Sequence, residues 1–186
     1  SDLRPIASHY PADPALLGTP FFVMEKVAGR VAVSYPPYSQ QGWLVDATPA
    51  QRAKLWHDAV SQLAMIQRVP VADAEFLKQG KTFAEDLDQE TDRWRRYLDC
   101  VDPDVQCGLL RQSYETLLAL TPANRPAGIV WGDARLGNLM AADDFTVAAV
   151  MDWEQPSLGG ALHDLGWWLQ SDYTQTEARG IPPLAG

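Results

Sequence analysis

Cysteine, basic charge and long apolar runs are all scarce in this chain of 186 residues. Only Cys100 and Cys107 are present. Two thiols exclude a disulfide-rich scaffold and a cysteine zinc site, and fit a reducing cytoplasm. Fifteen Lys and Arg face twenty-four Asp and Glu, a formal net charge of -9. A nucleic-acid backbone or an anionic membrane would demand a basic face, so neither is expected as a partner. No apolar run approaches the ~18 residues that span a bilayer, and no signal-peptide pattern opens the chain. The three histidines, His9, His57 and His163, lie far apart without metal-ligand spacing. There is no internal repeat and no Ser-centred nucleophile elbow.

What remains is a globular composition, with 46% hydrophobic and 21% charged residues. Residues 1–20 read as irregular, punctuated by Pro5, Pro11, Pro14, Gly18 and Pro20. Phe21 to Met24 reads as a short buried strand, and 31–45 as a loop. Thr48-Pro49 starts a helix to about Arg68, with Leu55, Ala59, Leu63 and Ile66 on one face. A second helix is expected over 83–98, with Phe83, Leu87, Trp94 and Leu98 as its apolar stripe, and a third over 109–120. Short strands follow at Ile129–Trp131, Leu139–Met140 and Val147–Met151, with Asp143-Asp144 as the turn between the last two. A Leu- and Trp-rich helix closes the pattern over 160–170. The order of elements predicts an α+β fold with a mostly helical body.

The informative stretch is Trp131-Gly132-Asp133-Ala134-Arg135-Leu136-Gly137-Asn138, with Asp152 fourteen residues further on. Asp133 follows a strand, Asn138 comes five residues later, and Asp152 ends the next apolar strand across a tight hairpin. A hairpin brings its ends together, so Asn138 and Asp152 can offer two hard oxygens to Mg²⁺. Asp133 is then free to accept a hydroxyl proton. A base, an Asn five residues on and a second Asp after a strand are the division of labour of phosphoryl transfer. Asp and Asn after short strands are also ordinary turn residues. The joint spacing, with apolar strands on both sides, is much harder to obtain by chance. A hydrolase using Asp133 and Asp152 as a carboxylate pair is the rival from another class; the Asn138 spacing argues against it.

The run Ile129 to Leu139 closely resembles the catalytic loop of aminoglycoside phosphotransferases and their choline-kinase-like relatives, and Val150-Met151-Asp152-Trp153-Glu154 the metal-binding segment after it. His163-Asp164-Leu165 looks like the start of the family's next helix, and Phe21 to Arg30 like the hinge between its lobes. The resemblance is nearest to the branch associated with acyl-CoA dehydrogenases and runs from about Leu17 to Leu169. It implies a protein-kinase-like fold: residues 1–30 as the end of the small β lobe and the hinge, and 31–186 as the helical lobe, incomplete at its end. It implies an ATP-dependent, Mg²⁺-assisted transfer of the γ-phosphoryl group to a small-molecule hydroxyl. The alternative is an inactive kinase-like module that binds a nucleotide or another ligand. Asp133 would be the base, and Asn138 and Asp152 the Mg²⁺ ligands. The backbone of Glu25 and Val27 would meet the adenine edge, with Met24 beneath the ring. Asp164 would anchor the catalytic loop. Trp131 stands where the family usually has His, a departure that bears on loop geometry. No glycine-rich phosphate loop and no strand Lys precede Phe21. The 186 residues alone are therefore expected to have negligible phosphotransfer activity. Strand Phe21–Met24 is expected to be disordered or covered, by a second copy or by a missing amino-terminal segment.

Overall fold

The computed structural model describes residues 7–9, 17–100, 108–125 and 127–186. Twelve principal elements occur among them. Strands β1 (Ala7–His9), β2 (Val23–Met24) and β3 (Arg30–Val31) precede helices α1 (Trp43–Asp46), α2 (Pro49–Ile66), α3 (Phe83–Cys100) and α4 (Gly108–Leu120). Strands β4 (Ile129–Val130), β5 (Leu139–Ala141), β6 (Val147–Val150) and β7 (Ser157–Leu158) follow, and helix α5 (Ala161–Gln175) comes last. The fold is α+β, with helices as its bulk and small antiparallel sheets between them. Among the described residues no helix is long and apolar enough to cross a membrane.

Helix α2 forms the spine of the core. Its start is a capping box: the Gln51 N–H donates to Thr48 Oγ1, and the Thr48 N–H donates to Gln51 Oε1. Pro49 then needs no intrahelical acceptor for a missing N–H. Leu55, Ala59, Leu63 and Ile66 recur at helical spacing and are all buried, as the sequence predicts. Trp56 meets Trp168 of α5 edge-on at 5.2 Å. Replacing Thr48 by alanine removes one cap and should cost about 1 kcal/mol, read as a lower urea midpoint at unchanged slope.

Several sequence expectations need correction. The first twenty residues are not wholly irregular: Ala7–His9 pairs antiparallel with Val23–Met24. Strand β2 therefore finds its partner inside the chain and is neither unpaired nor disordered. A three-residue strand flanked by prolines leaves no readable alternation. Strand β2 is also not buried, since Met24 is 60% exposed; a two-residue strand in a two-stranded ribbon has no second layer against it among the described residues. In α3 the stripe is partly misassigned. Leu98 is buried, but Trp94 is 49% exposed, and Asp86, a polar residue outside the expected stripe, is buried. The Asp86 carboxylate accepts the N–H groups of Gln79 and Gly80 at the helix entry, and this polar role draws it inward. Phe83's side chain lies outside the described residues. The expected loop over 31–45 also carries a short helix, α1.

The pieces that position the site are β3, β5 and β6, one antiparallel sheet in that order. Arg30 pairs with Ala141 and Val31 with Met140, so the chain joins the β5–β6 hairpin three residues after Val27. Gly29 makes the approach possible, because a Cβ there would lie 2.5 Å from Met140 Cγ and 2.7 Å from the Ala141 carbonyl oxygen. Strand β4 does not join this sheet; it pairs with β7.

Candidate active site

The loop between β4 and β5 is held from below by one carboxylate. Asp164, in the first turn of α5, is 2% exposed. Its Oδ2 accepts the Trp131 N–H at 2.8 Å and its Oδ1 the Gly132 N–H at 2.9 Å. Burial pushes the Asp164 carboxyl above its ordinary pKa, against the opposing pull of those two N–H groups. Gly132 sits at φ +100°, and a Cβ would fall 2.3 Å from the Gln155 carbonyl oxygen, so only glycine fits. The loop's next apolar residues, Ala134 and Leu136, are buried and drive the chain back into the core.

Asp133 is thereby turned toward solvent, partly open, with three donors on its carboxylate. Oδ2 accepts Arg135 Nε and Asn138 Nδ2, both at 2.8 Å, and Oδ1 accepts Trp167 Nε1 at 2.6 Å. Burial alone would raise its pKa. The bonds from Arg135, Trp167 and Asn138 together outweigh burial and hold the carboxyl below the ordinary value, so it is ionised at neutral pH. Arg135 also donates from Nη1 to Ser34 Oγ at 3.0 Å, which ties the loop to the segment after β3.

Asn138 is buried at the end of a 3₁₀ turn, Leu136–Asn138. Its Nδ2 also donates to the Asp133 carbonyl oxygen at 2.9 Å. Both partners of that nitrogen are acceptors, so the amide orientation follows and Oδ1 is the atom left without a hydrogen bond. Across the hairpin the Met151 N–H donates to the Asn138 carbonyl at 2.9 Å. Asp152 is thus one residue past the backbone partner of Asn138. It is exposed, adopts a left-handed conformation at φ 61°, and makes no hydrogen bond among the described residues. Asn138 and Asp152 thus stand near each other along the hairpin backbone, and the amide and carboxylate oxygens they carry are a donor set that fits Mg²⁺ completed by phosphate and water. Among the described residues no group of three or more His, Cys, Asp or Glu is placed to hold a metal ion.

The residues of 24–27 stand apart in the ribbon and the segment after it. Met24 is exposed, Val27 is half-buried, and Val27 has no hydrogen-bond partner among the described residues. Two hollows, of about 700 Å³ beside the start of α3 and about 220 Å³ between Tyr38, Trp56 and Asp172, are not lined by Asp133, Asn138 or Asp152. Two contributors escaped the sequence reading. In the sequence Trp167 is only part of a Leu- and Trp-rich helix, and Trp131 only a departure from a motif. The sole signal for Trp167 is its place three residues after Asp164, on the helix that anchors the loop.

Comparison with known proteins shows the family. The model of the phosphotransferase enzyme family (APH) matches residues 3–182. A solved structure from Ralstonia eutropha JMP134, provisionally described as an aminoglycoside phosphotransferase, aligns over 97% of this chain and 54% of its own, with a TM-score of 0.71 and 26% identity. The apoenzyme of a macrolide 2′-phosphotransferase from Brachybacterium faecium shares the fold at a TM-score of 0.54 and 18% identity, over 89% of this chain and 57% of its own. Among curated proteins, acyl-CoA dehydrogenase family member 11 of Homo sapiens is 27% identical over 161 residues, or 84% of this chain and 19% of that protein. A probable acyl-CoA dehydrogenase of Arabidopsis thaliana, IBR3, is 24% identical over 163 residues, 83% of this chain and 19% of its own. The chain thus spans about a fifth of the length of these curated relatives.

Proposed function

We propose, from the premise that this chain belongs to the phosphotransferase enzyme family, that its protein transfers the γ-phosphoryl group of ATP to a hydroxyl of a small molecule. The observation that carries the reading is the Asp133 carboxylate: ionised, partly open, and bonded to Asn138, whose main-chain carbonyl is paired with the residue before Asp152. Residues 1–30 serve in this reading as the end of the small lobe and the hinge, and 31–186 as the helical lobe. The backbone of Glu25 and Val27 meets the adenine edge and Met24 packs beneath the ring. We place the protein in the ATP-rich cytoplasm.

The bonding of Asp133 assigns its two oxygens different tasks. A carboxylate oxygen accepts about two hydrogen bonds. Oδ2 already holds two donors, Arg135 and Asn138, whereas Oδ1 holds only Trp167. The acceptor hydroxyl therefore docks on Oδ1, beside the Trp167 ring. Oδ1 takes the hydroxyl proton as the new O–P bond forms and the bond from the γ-phosphorus to the leaving ADP oxygen breaks. Asn138 Oδ1 and the Asp152 carboxylate would hold Mg²⁺, which when bound would supply positive charge against that developing on the phosphates. Asp133 needs no raised pKa for this, because it aims the nucleophile and collects a proton released late in a loose transition state.

Thermal unfolding of the full-length protein with ATP tests the reading. At 100-fold excess over Kd, ATP with Mg²⁺ should stabilise the folded state by about 2.7 kcal/mol. Asp152→Asn should remove the Mg²⁺-dependent part of that shift and leave the metal-free part. A wild-type protein that shows no nucleotide-dependent shift overturns the proposal.

A further inference from the structure

Trp131 occupies a position that the chemistry of Asp133 leaves without a task, yet its side chain is 0% exposed. A buried indole N–H must find an acceptor or lose the full energy of its hydration. Trp131 Nε1 finds the Met151 carbonyl oxygen at 2.8 Å. The same ring packs against Trp153, with centroids 6.0 Å apart and planes inclined by 37°. One indole therefore holds both residues that flank Asp152.

We propose that Trp131 is a positioning residue that sets the backbone conformation of Asp152 through its indole N–H. The argument follows from peptide planarity. The Met151 carbonyl and the Asp152 N–H share one rigid plane. The Met151 N–H, which lies in the preceding peptide plane, is tied to the Asn138 carbonyl; the Met151 carbonyl is tied to Trp131, which holds the plane that leads into Asp152. Asp152 starts from it in the left-handed region at φ 61°, a conformation that disfavours any side chain and persists only where the surroundings over-determine it. Trp131 is itself fixed, since its main-chain N–H donates to the buried Asp164. A single connection thus runs from the anchor of the catalytic loop through an indole to the carboxylate after β6. It rests on the reading that Asp152 holds a metal ion, and it makes tryptophan at this position a working part of the site.

The test compares the full-length wild type with Trp131→Phe, Trp131→His and Trp131→benzothienylalanine. The last keeps the bicyclic shape and replaces only the N–H by sulfur, so it remains informative should the phenylalanine variant fail to fold. ATP affinity is measured by calorimetry with and without Mg²⁺, and φ of Asp152 by crystallography. Loss of the donor should reduce the Mg²⁺ enhancement of ATP affinity about tenfold. It should leave metal-free ATP affinity unchanged and release Asp152 from the left-handed region. Trp131→His, which restores a donor, should recover most of the enhancement. The proposal is overturned if the benzothienylalanine variant keeps both the enhancement and φ near its wild-type value. It is equally overturned if the histidine and phenylalanine variants lose the enhancement to the same extent, because ring volume would then be the cause. If Asp152→Asn leaves the Mg²⁺ enhancement intact, the metal assignment fails, while φ in the donor-less variants still decides the role of Trp131.

Discussion

Turnover of the full-length protein is expected to fall roughly 10²–10⁴-fold when Asp133 is replaced by alanine, with ATP affinity little changed. The size of the effect follows from what Asp133 touches. It is the carboxylate on which Arg135, Asn138 and Trp167 converge, and its Oδ1 alone has room for a further donor. Removing it deletes the group that aims the hydroxyl and collects its proton, and leaves the phosphate-binding groups in place. Asp133→Asn separates charge from shape: the amide keeps an oxygen for one donor but presents N–H groups to the others and accepts no proton. It should be impaired nearly as much as alanine. Steady-state release of ADP, paired with calorimetric ATP binding, checks both variants. Loss of ATP binding with unchanged turnover per bound nucleotide would refute the assignment of the base.

A second large effect is expected at Asp164, and it is one of stability. Its carboxylate is the acceptor for two buried main-chain N–H groups at the start of the catalytic loop. Asp164→Ala leaves both donors without a partner at roughly 1–3 kcal/mol each, a loss of about 2–6 kcal/mol in all. For a chain of 186 residues that corresponds to a fall in Tm on the order of 10 °C. Asp164→Asn retains one acceptor oxygen, and with no buried charge to desolvate it should lose about half as much. Differential scanning calorimetry of the three proteins decides the matter. An alanine variant within about 1 °C of wild type would show that the loop does not depend on this anchor.

The two residues contrast in how readable they were. Asp133, Asn138 and Asp152 are singled out by their spacing, which is the one expected of a base and two metal ligands on one hairpin. The helices were readable for a similar reason. Helix α2 carries its cap, its first-turn proline and its apolar face within about twenty consecutive residues. Local rules suffice where the interacting atoms are close in sequence. They mislead where burial is decided elsewhere: Trp94 has the spacing of a core residue but is exposed, and Asp86 is buried where N–H groups at the helix entry meet its carboxylate.

By itself, then, the sequence determined the four long helices, the strands on either side of the Asp133 loop and across its hairpin, and the family whose pattern the chain follows. Only the tertiary structure decided what those residues meet. It brought Trp167 to Asp133 across thirty-four positions and Asp164 to Trp131 across thirty-three. It also paired Ala7–His9 with Val23–Met24, and placed the Trp131 indole on the Met151 carbonyl. The physical reason is that a hydrogen bond between distant residues leaves no periodicity in the chain. It depends on the direction in which a packed helix or strand presents a single donor, and that direction exists only once the core has formed.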